Sequence, residues 1–224
     1  MQLFADNIIN FYKTVLLPLK LPKGIEVLYP QKQQEVMAIV EKFYKKYFSD
    51  NNRRTLLFGI NPGRFGAGVT GVNFTAPKQL KENCGIDHSL KMHSELSAEF
   101  IYEAIEKYGG GEKFYKSFFI TSISPLGYVK DGINLNYYDD KKLQEAVTPF
   151  IVDCINKQLQ WNVNREKSIC VGGEKNFKFF DKLNKEYKWF KEIIPLPHPR
   201  FILQYRRKQK EHYLQLYIDV LNSI

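Results

Sequence analysis

The glycine-rich segment GINPGRFGAGVTGVNF, residues 59–74, carries the first side chains with an evident chemical use. Asn61 is the first polar side chain after a short apolar run, and an amide there can orient a water molecule while staying neutral. Phe74 offers a flat face on which a planar ligand could stack. Five glycines between Gly59 and Gly71 let the backbone turn sharply and approach a ligand closely. The alternative is a tight turn in which Asn61 caps backbone groups and Phe74 belongs to the core.

The segment PLPHPRF, residues 195–201, is the second candidate. Its three prolines restrict the backbone and reduce the entropy lost when a loop engages a partner. His198 stands between two of these prolines, and the cations that follow it are Arg200, Arg206, Arg207, Lys208 and Lys210. A single histidine is more often structural than catalytic, but a rigid position beside so many positive charges favours a functional role.

Residues 66–71, GAGVTG, match the G-x-G-x-x-G pattern of dinucleotide-binding folds. The context does not fit, because the glycines begin six residues after the apolar run and precede a poor helix start. A phosphate-binding P-loop would need a lysine where Val72 stands. We therefore expect no cofactor, and a nucleotide-cofactor enzyme stays an alternative that protection from heat denaturation by NAD or ATP would reveal.

Short apolar strands alternate with amphipathic helices along the chain. Strands are predicted at residues 55–60, 117–123, 168–171 and 192–196, and helices at residues 2–17, 31–47, 94–108, 141–159, after 173 and at about 204–221. A turn at residues 130–132 predicts a hairpin or an ordered excursion within residues 126–138. The alternation predicts one α/β domain with a central four-stranded parallel sheet and helices on both faces. Residues 1–50 would form an N-terminal helical pair packed on it.

Ligands of open parallel α/β sheets bind at the carboxyl ends of the strands. In this chain those ends carry the most unusual loops, at residues 61–74, 122–127, 172–176 and 195–201. We therefore expect the four loops to converge on one site.

Composition narrows the class of protein further. The 224 residues include 33 Lys and Arg against 24 Asp and Glu, and the net charge of +9 favours a polyanionic partner such as nucleic acid. No apolar run reaches the length of about 18 residues that a membrane helix needs. Residues 8–19 contain a lysine and a proline and lack a small-residue cleavage site, so we expect no signal peptide.

The cysteines and histidines give no convincing metal site. Cys84, Cys154 and Cys170 are odd in number and far apart, which excludes a disulfide framework and a four-cysteine metal site. His88 and His93 are five residues apart and would lie on different faces of a helix. We expect an intracellular, reducing compartment, no metal, no membrane and, by default, a monomer.

Three stretches together resemble a known family. Residues 59–74 are similar to the first motif of the single-strand-selective monofunctional uracil-DNA glycosylases, G-M-N-P-G-P-F-G followed by T-G-V-P-F. LPHPRF, residues 196–201, resembles their second motif around H-P-S-P-R, and FITSISPL, residues 119–126, resembles their base-recognition strand. Order and spacing agree, and the similarity runs from about residue 54 to residue 222.

The resemblance implies roles for individual residues. Asn61 would position the attacking water, and His198 would stabilise negative charge on the departing base. Phe74 would stack on that base, while Ile60 and Gly63 would line its pocket through backbone groups. The other positions implied in the base pocket are Asn73 and Ser122, and those implied in DNA binding are Pro62, Arg64, Gly173, Lys175, Pro199, Arg200, Phe201 and Arg206. Arg200 and Phe201 would lie on the loop that enters the double helix where the base has left.

The chain departs from the family pattern in three places. Ser122 stands where the family has its base-reading asparagine, so uracil discrimination would be looser or supplied by another group. Asn73 replaces a proline beside Phe74 and places an amide near the pocket. The second motif is two residues shorter, which weakens the assignment of Arg200 as the inserted residue.

The resemblance and the residues predict a monofunctional DNA glycosylase that hydrolyses the N-glycosidic bond of uracil in DNA and so initiates base excision repair. Its partner would be DNA containing deaminated bases, and no lysine is marked as a Schiff-base nucleophile, so we expect no strand scission. Ser122 leaves open a preference for another deaminated base. The other alternative is a nucleic-acid-binding module that keeps the fold without catalysis.

Overall fold

The structure is a computed structural model and describes residues 2–16 and 20–224. Its helices are α1 (Phe4–Thr14), α2 (Gln34–Tyr47), α3 (Ala67–Thr70), α4 (Pro77–Glu82), α5 (Leu96–Tyr108), α6 (Gly111–Ser117), α7 (Lys141–Gln158), α8 (Gly173–Tyr187), α9 (Pro199–Tyr205) and α10 (Lys210–Asn222). Its strands are β1 (Ile25–Leu28), β2 (Thr55–Gly59), β3 (Phe118–Ser122), β4 (Gly127–Lys130), β5 (Ile133–Leu135), β6 (Lys167–Val171) and β7 (Glu192–Leu196). Short 3-10 helices occupy Pro30–Lys32 and Arg207–Gln209.

Four strands form the central sheet in the order β3-β2-β6-β7, and all neighbouring pairs are parallel. In the middle of the sheet, Leu57 is in register with Ile120 on one side and Ile169 on the other. Every residue of β2 and β3 is buried, as expected of parallel strands covered on both faces. The predicted four-stranded parallel sheet is confirmed.

Two neighbouring residues of β3 show that helices cover both faces of this sheet. Phe118 packs against Tyr108 of α5 and Phe114 of α6, at ring-centroid distances of 5.6 Å and 5.2 Å. Phe119 packs against Phe4 of α1 at 5.6 Å and against Tyr44 of α2 at 6.0 Å. Because successive strand residues point to opposite faces, the α1–α2 pair and the α5–α6 pair lie on opposite sides of the sheet.

A second, smaller sheet has the order β1-β4-β5 and is antiparallel throughout. Strands β4 and β5 form the hairpin predicted within residues 126–138. Its turn contains Asp131 and Gly132, both left-handed with φ of 51° and 72°, as the tight two-residue hairpin turn requires. Strand β1 was not predicted, because it is only four residues long and none of them is fully buried. The residues that follow β5 therefore lie beside the carboxyl end of β2.

Several predicted helix bounds were wrong. The closing helix predicted at about residues 204–221 is α9, a 3-10 turn and α10, because the chain turns at Arg206. The helix predicted at 31–47 begins at Gln34, after a 3-10 turn that Pro30 starts. The first predicted helix ends at Thr14, and its predicted end at Leu17, like the rest of residues 17–19, lies outside the described residues.

Candidate functional site

A cavity of about 350 Å³ opens at the carboxyl ends of the parallel strands. All four predicted loops contribute to its walls. The predicted site residues that line it are Ile60, Asn61, Pro62, Gly63, Asn73, Phe74, Ser122, His198, Arg200 and Phe201. The structure thus brings the implied catalytic pair and the implied base-pocket residues to one place.

Asn61 is the second residue after β2, and its amide is held by the last residue of β5 and by the chain just beyond it. The Asn61 Nδ2 donates to the carbonyl oxygen of Leu135 at 3.3 Å, and the Tyr137 N–H donates to Asn61 Oδ1 at 3.1 Å. An amide oxygen has two lone pairs, so Oδ1 keeps one for a further hydrogen bond. Asn61 therefore caps backbone groups, as the alternative interpretation predicts, and also offers a fixed acceptor to the cavity.

His198 follows β7 and caps the first turn of α9. Its Nδ1 accepts the Arg200 N–H at 3.1 Å, so the ring proton of the neutral form is on Nε2. Burial lowers the pKa of His198 to about 4, and the positive charge of Arg200 adds to this effect. At neutral pH the ring is an uncharged N–H donor at the wall of the cavity.

Phe74 is half-buried, with its ring lying over the end of β2. A Cβ added to Gly59 would come within 2.8 Å of the ring, so only glycine leaves room for it there. The backbone of Phe74 is left-handed, with φ of 51°, a conformation that costs on the order of 1 kcal/mol or more in a bulky residue. The Phe74 ring centroid lies 5.9 Å from that of His198, which places an aromatic face beside the N–H donor.

Asn73 and Ser122 form a buried hydrogen-bonded pair in the wall of the cavity. The Ser122 hydroxyl donates to Asn73 Oδ1 at 2.7 Å, and Asn73 Nδ2 donates to the hydroxyl of Tyr12 on α1 at 3.2 Å. The shorter serine and the additional asparagine, two departures from the family pattern, are thus in direct contact. Together they provide an amide and a hydroxyl where the family has one amide.

The loop predicted at residues 195–201 needs a correction. Pro199 is the first residue of α9, a position that suits proline because its missing N–H would have no partner in the first helical turn. Arg200 and Phe201 therefore lie on a helix and not on a loop. Phe201 is 43% exposed and Tyr205 is 68% exposed at the mouth of the cavity.

Five residues predicted to bind DNA lie outside the cavity lining: Arg64, Gly173, Lys175, Pro199 and Arg206. Arg64 is exposed, contacts the carbonyl oxygen of Gly132 and stacks over Phe65 at 4.6 Å. Arg206 stacks over Phe201 at 5.7 Å. Gly173 and Lys175 are exposed at the start of α8, where Gly172 lines the cavity instead.

Sequence reasoning missed seven lining residues, which are Glu95, Ser97, Asn134, Asn136, Tyr138, Gln204 and Tyr205, while Ala67 and Gly172 lie in two of the predicted loops without having been named. Glu95 precedes the first residue of α5. Burial raises the pKa of its carboxyl group, while a hydrogen bond with Ser97 and the charge of Arg200 oppose the rise. The amphipathic pattern of α5 could have drawn attention to Glu95, because it predicts a helix start near this residue. Asn134, Asn136 and Tyr138 carried no comparable signal.

The described part of the chain contains neither a cluster of metal-ligating side chains nor a helix that could span a membrane. Within residues 2–16 and 20–224, no three His, Cys, Asp or Glu side chains are grouped as a metal ion would require. Over the same residues, no helix is long and apolar enough to cross a membrane.

Comparisons with known proteins agree with the geometry. The family model described as the uracil DNA glycosylase superfamily matches residues 45–222. Among curated proteins, none matches this chain. Among solved structures, wild-type SMUG2 from Pedobacter heparinus is similar at 45% sequence identity and a TM-score of 0.96, with 100% of this chain and 98% of that chain covered. The match over most of the chain, together with the parallel sheet and the cavity at its carboxyl edge, shows that the chain belongs to the uracil DNA glycosylase superfamily.

Proposed function

We propose that the protein is a monofunctional DNA glycosylase that hydrolyses the N-glycosidic bond of uracil in DNA and so initiates base excision repair. The observation that carries the proposal is the pairing of two fixed polar groups at one cavity. Asn61 Oδ1 has a free lone pair, and neutral His198 has an N–H that the local hydrogen bonds place on Nε2. Superfamily membership and the similarity to SMUG2 support the same reaction class.

In the proposed reaction the bond between the sugar C1′ and the base nitrogen N1 breaks, and its electron pair leaves with the base. The sugar becomes cationic, and water held by Asn61 Oδ1 adds to C1′ and loses a proton to solvent. The His198 N–H donates a hydrogen bond to the carbonyl oxygen on which the base carries its negative charge. One such preorganised donor is worth about 10²–10³ in rate. The departing base finally takes a proton from solvent.

Reaching the bond requires the nucleotide to leave the base stack. Base flipping from a duplex costs a few kcal/mol. Stacking on an aromatic ring returns about 1–3 kcal/mol per base, and Phe74 offers such a ring beside His198. Phe201 and Arg200, at the mouth of the cavity, would fill the space that the base vacates. The net charge of +9 favours the approach of the phosphate backbone.

The proposal excludes strand scission. A glycosylase that also cuts the strand needs an amine nucleophile near C1′, and no lysine lines the cavity among the described residues. The predicted product is an intact strand with an abasic site.

A wider range of deaminated bases is a second candidate. It is favoured by Ser122, whose side chain is shorter than the asparagine of the family pattern and lacks that residue's paired donor and acceptor. A binding module without catalysis would need neither the fixed Asn61 oxygen nor the neutral His198 donor.

End-labelled oligonucleotides with one uracil, single-stranded or paired, test the proposal. We expect cleavage only after alkali treatment, with free uracil in the supernatant by mass spectrometry. A matched cytosine oligonucleotide is the control and should stay intact. Cleavage without alkali would contradict the monofunctional mechanism. Binding without release of uracil would contradict the proposed substrate, and release of hypoxanthine or xanthine in parallel assays would then support the second candidate.

A further inference from the structure

Asn134, on strand β5 of the β4–β5 hairpin, lines the cavity. We propose that Asn134 binds the substrate directly, by donating a hydrogen bond from Nδ2 to an oxygen of one of the two phosphates attached to the nucleotide whose base enters the cavity. This inference rests on the proposed function. It adds a contact between the small antiparallel sheet and the DNA backbone.

The hairpin that carries Asn134 is fixed to the glycine-rich segment. The Arg64 side chain donates to the carbonyl oxygen of Gly132 in the hairpin turn. At the start of β4, a Cβ added to Gly127 would overlap the carbonyl oxygen of Pro62, so only glycine allows the strand to approach so closely. Asn134 therefore lies on a strand that is held against the segment carrying Asn61.

The amide of Asn134 has one defined orientation. Asn134 Oδ1 accepts the backbone N–H of Arg64 at 3.1 Å. Because a backbone N–H can only donate, the amide oxygen faces Arg64 and Nδ2 points away from it. Nδ2 lies 3.4 Å from the place that a Cβ of Gly63 would occupy, and Gly63 also lines the cavity. Within residues 2–16 and 20–224, neither hydrogen of Nδ2 has a hydrogen-bond acceptor.

The position of Asn134 suits the sugar-phosphate chain of the substrate. The next residue, Leu135, accepts a hydrogen bond from Asn61, which holds the attacking water at C1′ in the proposed reaction. The two phosphates are attached to the same sugar, through C3′ and C5′. The preceding residue, Ile133, is 68% exposed, so Asn134 lies at the rim of the cavity. The DNA backbone must pass this rim while a single base enters.

The charges around Asn134 favour an anionic acceptor. Arg64 and Lys130 are both exposed beside it, and Gly132 takes only one of the five N–H groups of Arg64. Asp131 in the hairpin turn opposes these two cations with one negative charge, which leaves this part of the rim positive. Asparagine amides and arginines are common donors to DNA phosphates.

The test measures the affinity for single-stranded oligonucleotides that contain one 2′-fluoro-deoxyuridine, whose glycosidic bond resists hydrolysis. Three versions carry phosphates throughout, a methylphosphonate on the 5′ side of this nucleotide, or a methylphosphonate on its 3′ side. Asn134→Ala removes the donor without adding charge and should bind the all-phosphate version about tenfold more weakly, the effect of one hydrogen bond to a charged group. One of the two methylphosphonates should weaken binding by the wild type and remove most of its advantage over Asn134→Ala.

Two results of this comparison would overturn the inference. One is equal affinity of the wild type and Asn134→Ala for the all-phosphate version. The other is a loss in Asn134→Ala that is the same on all three versions, because a merely structural defect would not depend on one phosphate.

A further oligonucleotide separates a phosphate from a base carbonyl as the acceptor. It carries a tetrahydrofuran in place of the uridine, which keeps the sugar-phosphate chain and has no base. The loss in Asn134→Ala should persist on this oligonucleotide. Its disappearance would mean that Nδ2 contacts the base, and would overturn the inference.

A change of charge gives a matched control. Asn134→Asp keeps an oxygen for the Arg64 N–H and places a second oxygen where the donor was, so it should weaken binding more than Asn134→Ala. Asn162→Asp makes the same change of charge at an exposed asparagine whose amide donates to Asn51 O at 2.7 Å, and it should bind like the wild type. An equal loss in the two aspartate variants would contradict the proposed contact.

Release of uracil from an ordinary deoxyuridine oligonucleotide, measured on the same preparations, keeps this inference separate from the proposed function. A protein that releases no uracil but shows the phosphate-dependent loss in Asn134→Ala would refute the function and leave the contact standing. A protein that releases uracil, with Asn134→Ala binding like the wild type, would refute the contact alone.

Discussion

The two ends of strand β2 carry buried polar groups that differ in how fully their hydrogen bonds are used. At the amino end, Arg54 is fully buried between the rings of Phe4 and Phe48, each 4.7 Å from the guanidinium carbon. All five of its N–H groups have acceptors, which are Tyr115 O at 2.8 Å, Asp50 Oδ1 at 2.8 Å, Asp50 Oδ2 at 3.1 Å, Asn52 O at 3.1 Å and Tyr47 O at 3.4 Å. Arg54 therefore has no N–H group free to bind a ligand.

At the carboxyl end the polar groups are equally well held but incompletely used. Asn61 Oδ1 keeps a lone pair, His198 in the cavity wall keeps its Nε2–H, and Ser122 Oγ keeps its lone pairs. Each of these groups is oriented by a hydrogen bond on its far side. The comparison shows that a buried polar cluster whose hydrogen-bond groups are all used has a structural role. A cluster that is held in place but keeps free donors and acceptors can bind a ligand and react.

One of the two largest effects on the reaction should come from removing the N–H donor. We expect His198→Ala to lower the single-turnover rate of uracil excision by about 10²–10³. His212→Ala changes an exposed histidine on α10 and serves as the matched control. A rate within a few-fold of the wild type in His198→Ala would remove the histidine from the mechanism.

A substitution at the amino end of β2 should lower the stability of the protein and leave its excision rate unchanged. Arg54→Met leaves the acceptors of Arg54 without their donors and should lower the free energy of unfolding by about 3–5 kcal/mol. Urea denaturation measures the loss, and excision per folded molecule should match the wild type. Arg53→Met, at the exposed neighbouring arginine, is the control and should change little. A large fall in the excision rate of folded Arg54→Met would contradict the claim that the amino end of β2 has only a structural role.

A smaller effect should follow from moving the stacking ring. The Cβ in Gly59→Ala would lie 2.8 Å from Phe74, so the ring must shift away from the base. Overpacking of this kind costs about 1–3 kcal/mol, and the excision rate should fall about tenfold. Gly111→Ala, where the added Cβ would lie at an ordinary 3.5 Å from Tyr47, is the control and should keep the wild-type rate. Equal rates in both variants would argue against stacking on Phe74.

The smallest effect concerns pH. With the pKa of His198 lowered to about 4, the excision rate should stay flat as the pH falls through about 6.5, the ordinary histidine value. A rate that declines as the pH rises above about 6.5 would instead indicate a cationic histidine. Between these two values the unfolded chain binds a proton that the folded chain does not, so His198 should lower stability as the pH falls toward 4. Ring NMR signals that His198→Ala removes would report the titration directly.

Much of the fold could be predicted, because the strands of the central sheet are short apolar runs between amphipathic helices. Asn61, His198 and Phe74 could also be found, since each stands in a distinctive segment beside a strand end. Strand β1 was not predicted because its pairing with β4 is a tertiary contact, and a segment of four residues without a fully buried side chain gives no local signal for it. Helix α9 was hidden because prolines around His198 suggested a loop, although Pro199 suits the first turn of a helix.

The contacts within the site could not be predicted. Ser122 and Asn73 were each predicted in the base pocket, but their hydrogen bond joins residues 49 apart in sequence. Tyr12 is 61 residues from Asn73, on a helix that precedes the region of family resemblance. The contact between Tyr12 and Asn73 depends on how α1 packs on the sheet, and no local sequence pattern predicts that packing.

The measurement that tests the account most directly compares two asparagines at the two ends of β2. Asn61→Ala should lower the single-turnover rate of uracil excision by about 10²–10³, while the melting temperature falls by about 2–4 °C for the lost hydrogen bonds. Asn164 donates to Thr55 Oγ1 at 3.1 Å at the amino end, and Asn164→Ala should lower the melting temperature similarly while keeping the wild-type rate. Equal excision rates in the two variants would contradict the claim that chemistry lies at the carboxyl end.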